Sequence, residues 1–184
     1  ILAGDALHDL AFELISGNLN DKNFISKIKL INYLSLCIGH KGLALGQALD
    51  LDFENKKLSK NKILDMYSKK TGKLFEFSFS APFILKDKSK TDIQFAKEYG
   101  MLFGLIFQVI DDLIDEIGTF KKIGKTPGKD VKQGKSTLLK LIGEKQVTNL
   151  CNNKINTFIV KYKNKINQHP ILIKMIKFGM DRLN

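Results

Sequence analysis

The sequence predicts an all-α protein that forms one domain. Apolar residues recur at the three- and four-residue spacing of helices along most of the chain. No segment alternates apolar and polar residues in the way that a half-buried strand does. The chain has 184 residues, of which 43% are hydrophobic, and this length suffices for one core that buries about 70% of the unfolded surface. We therefore expect a single helical domain over residues 1–184.

Two helices are predicted at the start of the chain. The first spans residues 2–15 and ends before Ser16-Gly17-Asn18. Its apolar stripe consists of Leu7, Leu10, Ala11, Leu14 and Ile15. The second spans about residues 23–51 and contains Gly39, Gly42 and Gly46. A glycine inside a helix costs about 1 kcal/mol relative to alanine, so we expect close packing or function to require these glycines.

The remaining helices follow the same apolar spacing. The third begins after Ser59, a residue type that caps helices, and runs towards Pro82. The fourth spans about residues 91–118, and a long irregular stretch with several glycines follows over residues 119–135. Two or three further helices complete the chain. One of them carries the apolar stripe Cys151, Ile155, Phe158, Ile159, Tyr162 and Ile166.

The net charge of +11 does not indicate a nucleic-acid-binding protein. Arg182 is the only arginine among 30 basic residues, and arginine is the residue that best pairs bidentately with bases. The longest apolar stretch, residues 101–110, is shorter than the roughly 20 residues of a membrane span, so we expect no stable membrane insertion. Cys37 and Cys151 lack the spacing of a disulfide framework or metal site. We therefore expect reduced thiols and a cytoplasmic location.

The end of the fourth helix carries the most informative group of polar residues. Gln108, Asp111, Asp112 and Asp115 are spaced i, i+3, i+4 and i+7, so they share one face of the helix. Carboxylates that are one turn apart repel each other unless a cation neutralises them. Mg²⁺ prefers oxygen ligands and often bridges to a phosphate of the substrate. The pattern favours a magnesium site, and the alternative is an acidic helix end that faces solvent.

Lysines suited to an anionic ligand occur in two other segments. Lys69-Lys70-Thr71-Gly72 lies in the third helix, where the glycine narrows the helix beside an ammonium and a hydroxyl group. Further lysines, which include Lys125 and Lys135, lie among the glycines of residues 124–137. A lysine ammonium is a point charge that suits phosphate oxygens. Each of these lysines taken singly is more typical of a solvated surface than of a binding site.

Taken together, these elements resemble the trans-prenyltransferase (polyprenyl synthase) family, which contains the farnesyl and geranylgeranyl diphosphate synthases. The resemblance covers almost the whole chain, and its elements occur in the family's order. Residues 1–7 are similar to the segment after the family's first aspartate-rich motif, and residues 46–51 resemble its Gly-Gln segment. Lys70-Thr71-Gly72 matches its Lys-Thr-Gly element, and Gln108 with Asp111, Asp112 and Asp115 matches its second aspartate-rich motif, DDxxD. Lys125, Asp130 and Lys135 occur where the family has its loop lysines and aspartate.

The resemblance implies an isoprenoid-synthase-type helical bundle around a central cavity, with these residues as its C-terminal portion. It also implies a magnesium-dependent prenyltransferase of isoprenoid biosynthesis. The enzyme would ionise an allylic diphosphate, dimethylallyl or geranyl, to an allylic cation that isopentenyl diphosphate attacks. A homodimer is implied as well.

The resemblance also assigns roles to residues. Asp111 and Asp115 would hold one Mg²⁺ with Asp112 supporting them. Catalytic roles would fall to Lys70, Thr71, Gln108 and Lys125. The substrate-binding residues would be Gln47, Lys70, Thr71, Gln108, Lys125 and Lys135.

The family's first aspartate-rich motif is not among these residues, because the family carries it upstream of the segment that matches residues 1–7. We therefore expect the 184 residues to be part of a longer chain and to be inactive alone. Two alternatives stay open. One is a non-catalytic subunit that keeps the helical fold and partners an active synthase. The other is a terpene cyclase, which uses the same ionisation without isopentenyl diphosphate.

Overall fold

A computed structural model of the chain describes residues 1–17, 23–117 and 135–181. Regular structure within those ranges is entirely helical, which confirms the predicted all-α class. The helices are α1 (Leu2–Ser16), α2 (Phe24–Ile38), α3 (Leu43–Asp52), α4 (Lys60–Tyr67), a π-helical turn (Ser68–Gly72), α5 (Lys73–Leu85), α6 (Lys90–Ile117), α7 (Leu138–Ile142), α8 (Glu144–Lys161), α9 (Lys163–Gln168) and α10 (Ile171–Asp181).

Helix α6 is the central helix of the core. Its buried apolar side chains include Phe95, Tyr99, Leu102, Ile106, Val109 and Leu113. Around them lie Ile63, Met66 and Tyr67 of α4, Leu138 of α7, and Val147, Cys151, Ile155 and Phe158 of α8. Because α6 is packed on several sides, its C-terminal end, which carries the aspartates, has a fixed position.

The predicted helix over residues 23–51 is wrong as a single element, because the chain forms two helices there. The backbone leaves the helical conformation at Gly39, where ψ is −153°, and α3 begins only after Gly42. A Cβ atom on Gly42 would lie 1.9 Å from the Cys37 carbonyl oxygen. Gly42 is therefore required by the tight turn between the helices, so the expected close packing is confirmed at this position.

The predicted third helix begins after Ser59, as expected, but Ser59 makes no side-chain capping bond. The helical path continues through the π-helical turn and one turn beyond Pro82, to Leu85. The π-helical turn divides this path into α4 and α5. The predicted fourth helix agrees with α6 to within one residue at each end.

Residues 135–181, the described part of the chain after α6, contain four helices rather than two or three. The apolar stripe that begins at Cys151 is divided at Tyr162, where α8 ends and α9 begins. Cys151 and Ile166, at the two ends of the stripe, are both buried. The periodicity therefore identified the buried face but not the break.

Glycines bring α6 very close to α5 and the π-helical turn. A Cβ atom on Gly100 would lie 2.5 Å from the Phe75 carbonyl oxygen, and one on Gly104 would lie 2.8 Å from the Gly72 Cα atom. The contact leaves no room for side chains at these positions. It places the Lys-Thr-Gly segment directly beside α6. Within the described ranges, no helix combines the length and apolar character needed to cross a bilayer.

Candidate active site

The π-helical turn, Ser68–Gly72, carries Lys70 and Thr71. Single π-helical turns inside α-helices are frequent at functional sites. The backbone of α3 lies against this turn, since a Cβ atom on Gly46 would lie 2.1 Å from the Lys70 nitrogen. The expectation that close packing requires Gly46 is confirmed. The Lys70 backbone is thus held between α3 and the core.

Three of the predicted site residues form a continuous chain of hydrogen bonds. Thr71 Oγ1 donates to Gln108 Oε1 at 2.6 Å. Gln108 Nε2 donates to Asp112 Oδ1 at 2.8 Å. Gln108 and Asp112 are both buried. The structure therefore joins the Lys-Thr-Gly segment to the aspartates of α6, although the two are far apart in sequence.

Tyr67 completes this chain and was missed by the sequence reasoning. Its hydroxyl donates to Asp112 Oδ2 and accepts a hydrogen bond from the Leu138 backbone nitrogen at 3.1 Å. Burial, followed by the negative charge of Asp112, holds the pKa of Tyr67 well above its usual range. Tyr67 is therefore a protonated donor at neutral pH. In sequence it is one more member of an apolar helical stripe, and nothing in the spacing marks it.

Asp112 is held by hydrogen bonds from two side chains. Each of its two carboxylate oxygens accepts a bond, one from Gln108 and one from Tyr67. Asp111 is partly exposed and Asp115 is buried on the same face of α6. That Asp112 supports the other two aspartates stays a prediction.

The donor set of α6 fits Mg²⁺ in its usual mode of binding. Among the described residues, no three histidine, cysteine, aspartate or glutamate side chains form a group that could hold a metal ion. Magnesium is commonly bound by one or two carboxylates, with waters and substrate phosphates supplying the other ligands. Asp111 and Asp115, one helical turn apart, are a donor pair of that kind.

Asp50 on α3 is the second residue that the sequence reasoning did not single out. It is 7% exposed. Its Oδ2 atom lies 2.6 Å from Lys70 Nζ and 4.0 Å from Lys135 Nζ. Two of the lysines predicted to bind substrate therefore converge on one buried carboxylate.

The other predicted residues have different surroundings. Gln47 is exposed on α3 and takes no part in the chain of hydrogen bonds from Thr71 to Tyr67. Lys69, next to Lys70, pairs with Asp65 one turn earlier. Lys125 and Asp130 lie outside the described residues.

An aromatic surface borders the π-helical turn. Phe75 of α5 lies against Phe103 and Phe107 of α6, with ring centroids 5.0 Å and 5.3 Å apart. The Phe107 residue is 50% exposed. A surface of this kind, next to ammonium groups and carboxylates, suits a ligand with an anionic head and an apolar tail.

Comparisons with known proteins give a consistent result. A model of the family described as polyprenyl synthetase matches residues 1–176. A farnesyl diphosphate synthase from Micrococcus luteus is 38% identical over 156 residues, which are 84% of this chain and 53% of the relative. A short chain isoprenyl diphosphate synthase from Methanocaldococcus jannaschii is 37% identical over 76% of this chain and 41% of the relative.

A solved structure extends the similarity to the fold. The geranyltransferase from Helicobacter pylori, complexed with magnesium and isoprenyl diphosphate, aligns with a TM-score of 0.80 and 29% identity. The alignment covers 100% of this chain and 59% of that chain. The chain spans about half the length of the curated relatives that it matches.

Proposed function

Because the chain belongs to the polyprenyl synthetase family, we propose that the protein is a prenyl diphosphate synthase. It joins isopentenyl diphosphate to an allylic diphosphate, dimethylallyl or geranyl, and releases pyrophosphate. The observation that supports this most strongly is the hydrogen bond between Thr71 and Gln108, which brings the Lys-Thr-Gly segment and the aspartates of α6 into one site. Lys70 of that segment and Lys135, which precedes α7, meet beside it at Asp50.

The proposed reaction breaks the carbon–oxygen bond of the allylic diphosphate, and the bonding electrons leave with the diphosphate. The double bond of isopentenyl diphosphate attacks the resulting allylic cation, and loss of one proton forms the new double bond. Lys70 and Lys135, with Lys125, bind the diphosphate and stabilise the charge that develops on it. The phenylalanine surface at Phe75 and Phe107 excludes water, which would otherwise quench the cation.

We propose Mg²⁺ as the cofactor. Asp111 and Asp115 would hold it, and Asp112, which Gln108 and Tyr67 fix by hydrogen bonds, orients this end of α6. When bound, Mg²⁺ supplies positive charge that stabilises the leaving diphosphate. The Thr71 hydroxyl and the Gln108 amide keep the polar edge of the site in place. Gln47 would contact substrate from the exposed side of α3.

The proposal includes a homodimer that forms through α1. None of the residues of α1 is buried, and Leu7, Leu10 and Leu14 on its apolar stripe are 66%, 42% and 72% exposed. Phe24 and Ile28 at the start of α2 are exposed beside it. An apolar surface of this extent is typical of a protein interface. A second copy that presents the same surface would bury both stripes.

We propose that the enzyme acts in the cytoplasm. Cys37 and Cys151 are both buried and unoxidised. Free thiols are usual for proteins of a reducing compartment. The substrates are small diphosphates, so no nucleic acid is involved.

The proposal is tested by incubating the purified full-length protein with magnesium, labelled isopentenyl diphosphate and either allylic diphosphate. We expect a labelled product that is five carbons longer than the allylic substrate. The Lys70→Gln variant should lose most of this activity, because it removes an ammonium that binds the diphosphate. Lys69→Gln is the matched control, since Lys69 pairs with exposed Asp65, and it should keep near wild-type activity. Equal activity of the two variants would contradict the assigned site.

A further inference from the structure

We propose that Asp50 is a positioning residue, which holds Lys70 and Lys135 in the geometry that binds the diphosphate. The inference rests on the proposed function, because the diphosphate is the ligand that it assigns to the two lysines. Asp50 acts through the lysines and is not assigned contact with substrate.

The Lys70 backbone packs against α3, and the residue after Lys135 is hydrogen-bonded to the turn that follows α3. Gly46, one turn before Asp50, lies against the Lys70 backbone so closely that a Cβ atom would be 2.1 Å from its nitrogen. At the other end of α3, Ser136 Oγ donates to the carbonyl oxygens of Phe53 at 3.1 Å and Lys56 at 2.9 Å. Ser136 directly follows Lys135. Helix α3 and the turn that follows it therefore hold the chain near both lysines, and Asp50 lies between the two anchor points.

The charges of this group favour an anionic ligand. One carboxylate faces two ammonium groups, so Asp50, Lys70 and Lys135 together carry an excess of one positive charge. The Asp50 side chain is 7% exposed, whereas the Lys70 and Lys135 side chains are 22% and 21% exposed. The carboxylate is thus the inner member of the group and the ammonium groups are closer to solvent. Lys70 Nζ donates a hydrogen bond to Asp50 at 2.6 Å, whereas Lys135 Nζ, at 4.0 Å, forms an ion pair with the same oxygen.

The carboxylate performs two tasks in this arrangement. It lowers the mutual repulsion of the two ammonium groups, which would otherwise drive their flexible side chains apart. It also orders the side chains before the ligand arrives, so less conformational freedom is lost on binding. A neutral side chain of the same shape would not lower the repulsion, and its amide oxygen would hold the ammonium groups less strongly than a carboxylate does.

The test compares Asp50→Asn with Asp52→Asn in the full-length protein. Asp52 lies on the same helix, but it is exposed and pairs with Lys56 at 2.7 Å. The affinity for inorganic pyrophosphate is measured by titration calorimetry at a fixed magnesium concentration. We expect Asp50→Asn to raise the Kd for pyrophosphate about tenfold, from the ordering cost of two long side chains. Asp52→Asn should leave the Kd unchanged.

Several results would overturn the inference. A Kd for Asp50→Asn that equals the wild-type value would show that the lysines need no positioning. A lower Kd would show that Asp50 competes with the anion instead of preparing its site. A merely structural role would reduce the number of binding-competent molecules, and hence the stoichiometry, without raising the Kd.

A second variant covers the case in which Asp50→Asn does not fold. Asp50→Glu keeps the charge but moves the carboxylate by one methylene, and it should raise the Kd by a smaller factor. An unchanged Kd in Asp50→Glu would then overturn the inference. Condensation activity of the wild-type protein is measured in parallel. An active enzyme with no dependence on Asp50 defeats this inference alone, whereas an inactive protein with Asp50-dependent pyrophosphate binding defeats only the proposed function.

Discussion

Lys70 and Thr71 are adjacent in sequence but have different partners in the structure. Lys70 pairs with Asp50 of α3, and Thr71 bonds to Gln108 of α6. Both residues lie in the π-helical turn, which is wider than an α-helical turn. The two side chains can therefore reach different helices although the helical path is continuous. Neighbouring side chains thereby connect two separate elements to one site.

Tyr67 should contribute measurably to the stability of this site. Tyr67→Phe removes the hydroxyl that donates to Asp112 and accepts from Leu138. Two buried polar groups then lose a partner, which should lower the free energy of unfolding by about 1–3 kcal/mol at neutral pH. Urea unfolding of the wild type and the variant measures the difference. Equal stability would contradict the hydrogen bonds.

The pH dependence of that difference has a definite sign. The folded protein holds the pKa of Tyr67 above its value in the unfolded chain, which is about 10. The unfolded chain therefore loses the proton first, so the contribution of Tyr67 is fully present below about pH 10 and decreases above it. The stability difference between wild type and Tyr67→Phe should shrink by up to about 1.4 kcal/mol per pH unit there. A constant difference across this range would contradict the raised pKa.

The residues that the sequence revealed and those that it missed differ in a physical respect. Gln108 and Asp112 were identified because polar residues on one face of an otherwise apolar helix form a visible pattern. Tyr67 and Asp50 were missed because their partners lie on other helices, and a single polar atom on a buried stripe has no periodic signature. Only the packing of the helices shows which distant groups they meet.

At the scale of the elements, glycines determine where the helices approach and where they break. Helix α6 was predicted almost to the residue because its apolar periodicity is uninterrupted. The break at Gly39–Gly42 was not predicted, because the apolar spacing continues on both sides of it and a glycine costs a helix only about 1 kcal/mol. The tight contact at Gly42 is what separates α2 from α3, and the spacing of apolar residues gives no information about such contacts.

Gly46→Ala tests the contact between α3 and the π-helical turn. The added methyl group would meet the Lys70 backbone, which cannot move as a side chain can. We expect a loss of stability of about 1–3 kcal/mol from overpacking, together with reduced pyrophosphate affinity because Lys70 is displaced. Thermal unfolding and calorimetry measure the two effects.

Gly4→Ala is the matched control. Nothing lies within 4 Å of a Cβ atom at Gly4 in α1, so this variant should be neutral or more stable by up to about 1 kcal/mol. Equal stability and equal pyrophosphate affinity of the Gly46→Ala and Gly4→Ala variants would contradict the close packing of α3 on the π-helical turn.

At the scale of the whole molecule, the first helix shows how far periodicity can be trusted. The stripe from Leu7 to Ile15 correctly predicted a helix, yet α1 buries none of its residues among the described parts of the chain. Apolar periodicity identifies the face of a helix that must be buried, but it does not identify the surface against which that face packs. The net charge of +11 likewise gave no indication that Lys70 and Lys135 share a buried carboxylate.

The exposed stripe of α1 predicts the oligomeric state. The double variant Leu7→Glu, Leu14→Glu places charges on the proposed interface and should convert the full-length dimer to a monomer. Light scattering coupled to size-exclusion chromatography measures the mass. Val160→Glu is the control, because Val160 is 78% exposed on α8 and is not part of the proposed interface, and this variant should remain a dimer. A wild-type monomer, or a double variant that stays dimeric, would contradict the interface.

The central claim is that the aspartates of α6 and the lysines around Asp50 serve one condensation reaction. Its most direct test is the release of pyrophosphate from an allylic diphosphate by the full-length protein, measured with and without isopentenyl diphosphate in the presence of magnesium. We predict release that requires both substrates and falls at least about a hundredfold in Asp111→Asn, while Glu116→Gln, which changes an exposed neighbour, stays near wild type. Release without isopentenyl diphosphate, no release at all, or full activity of Asp111→Asn would contradict the claim.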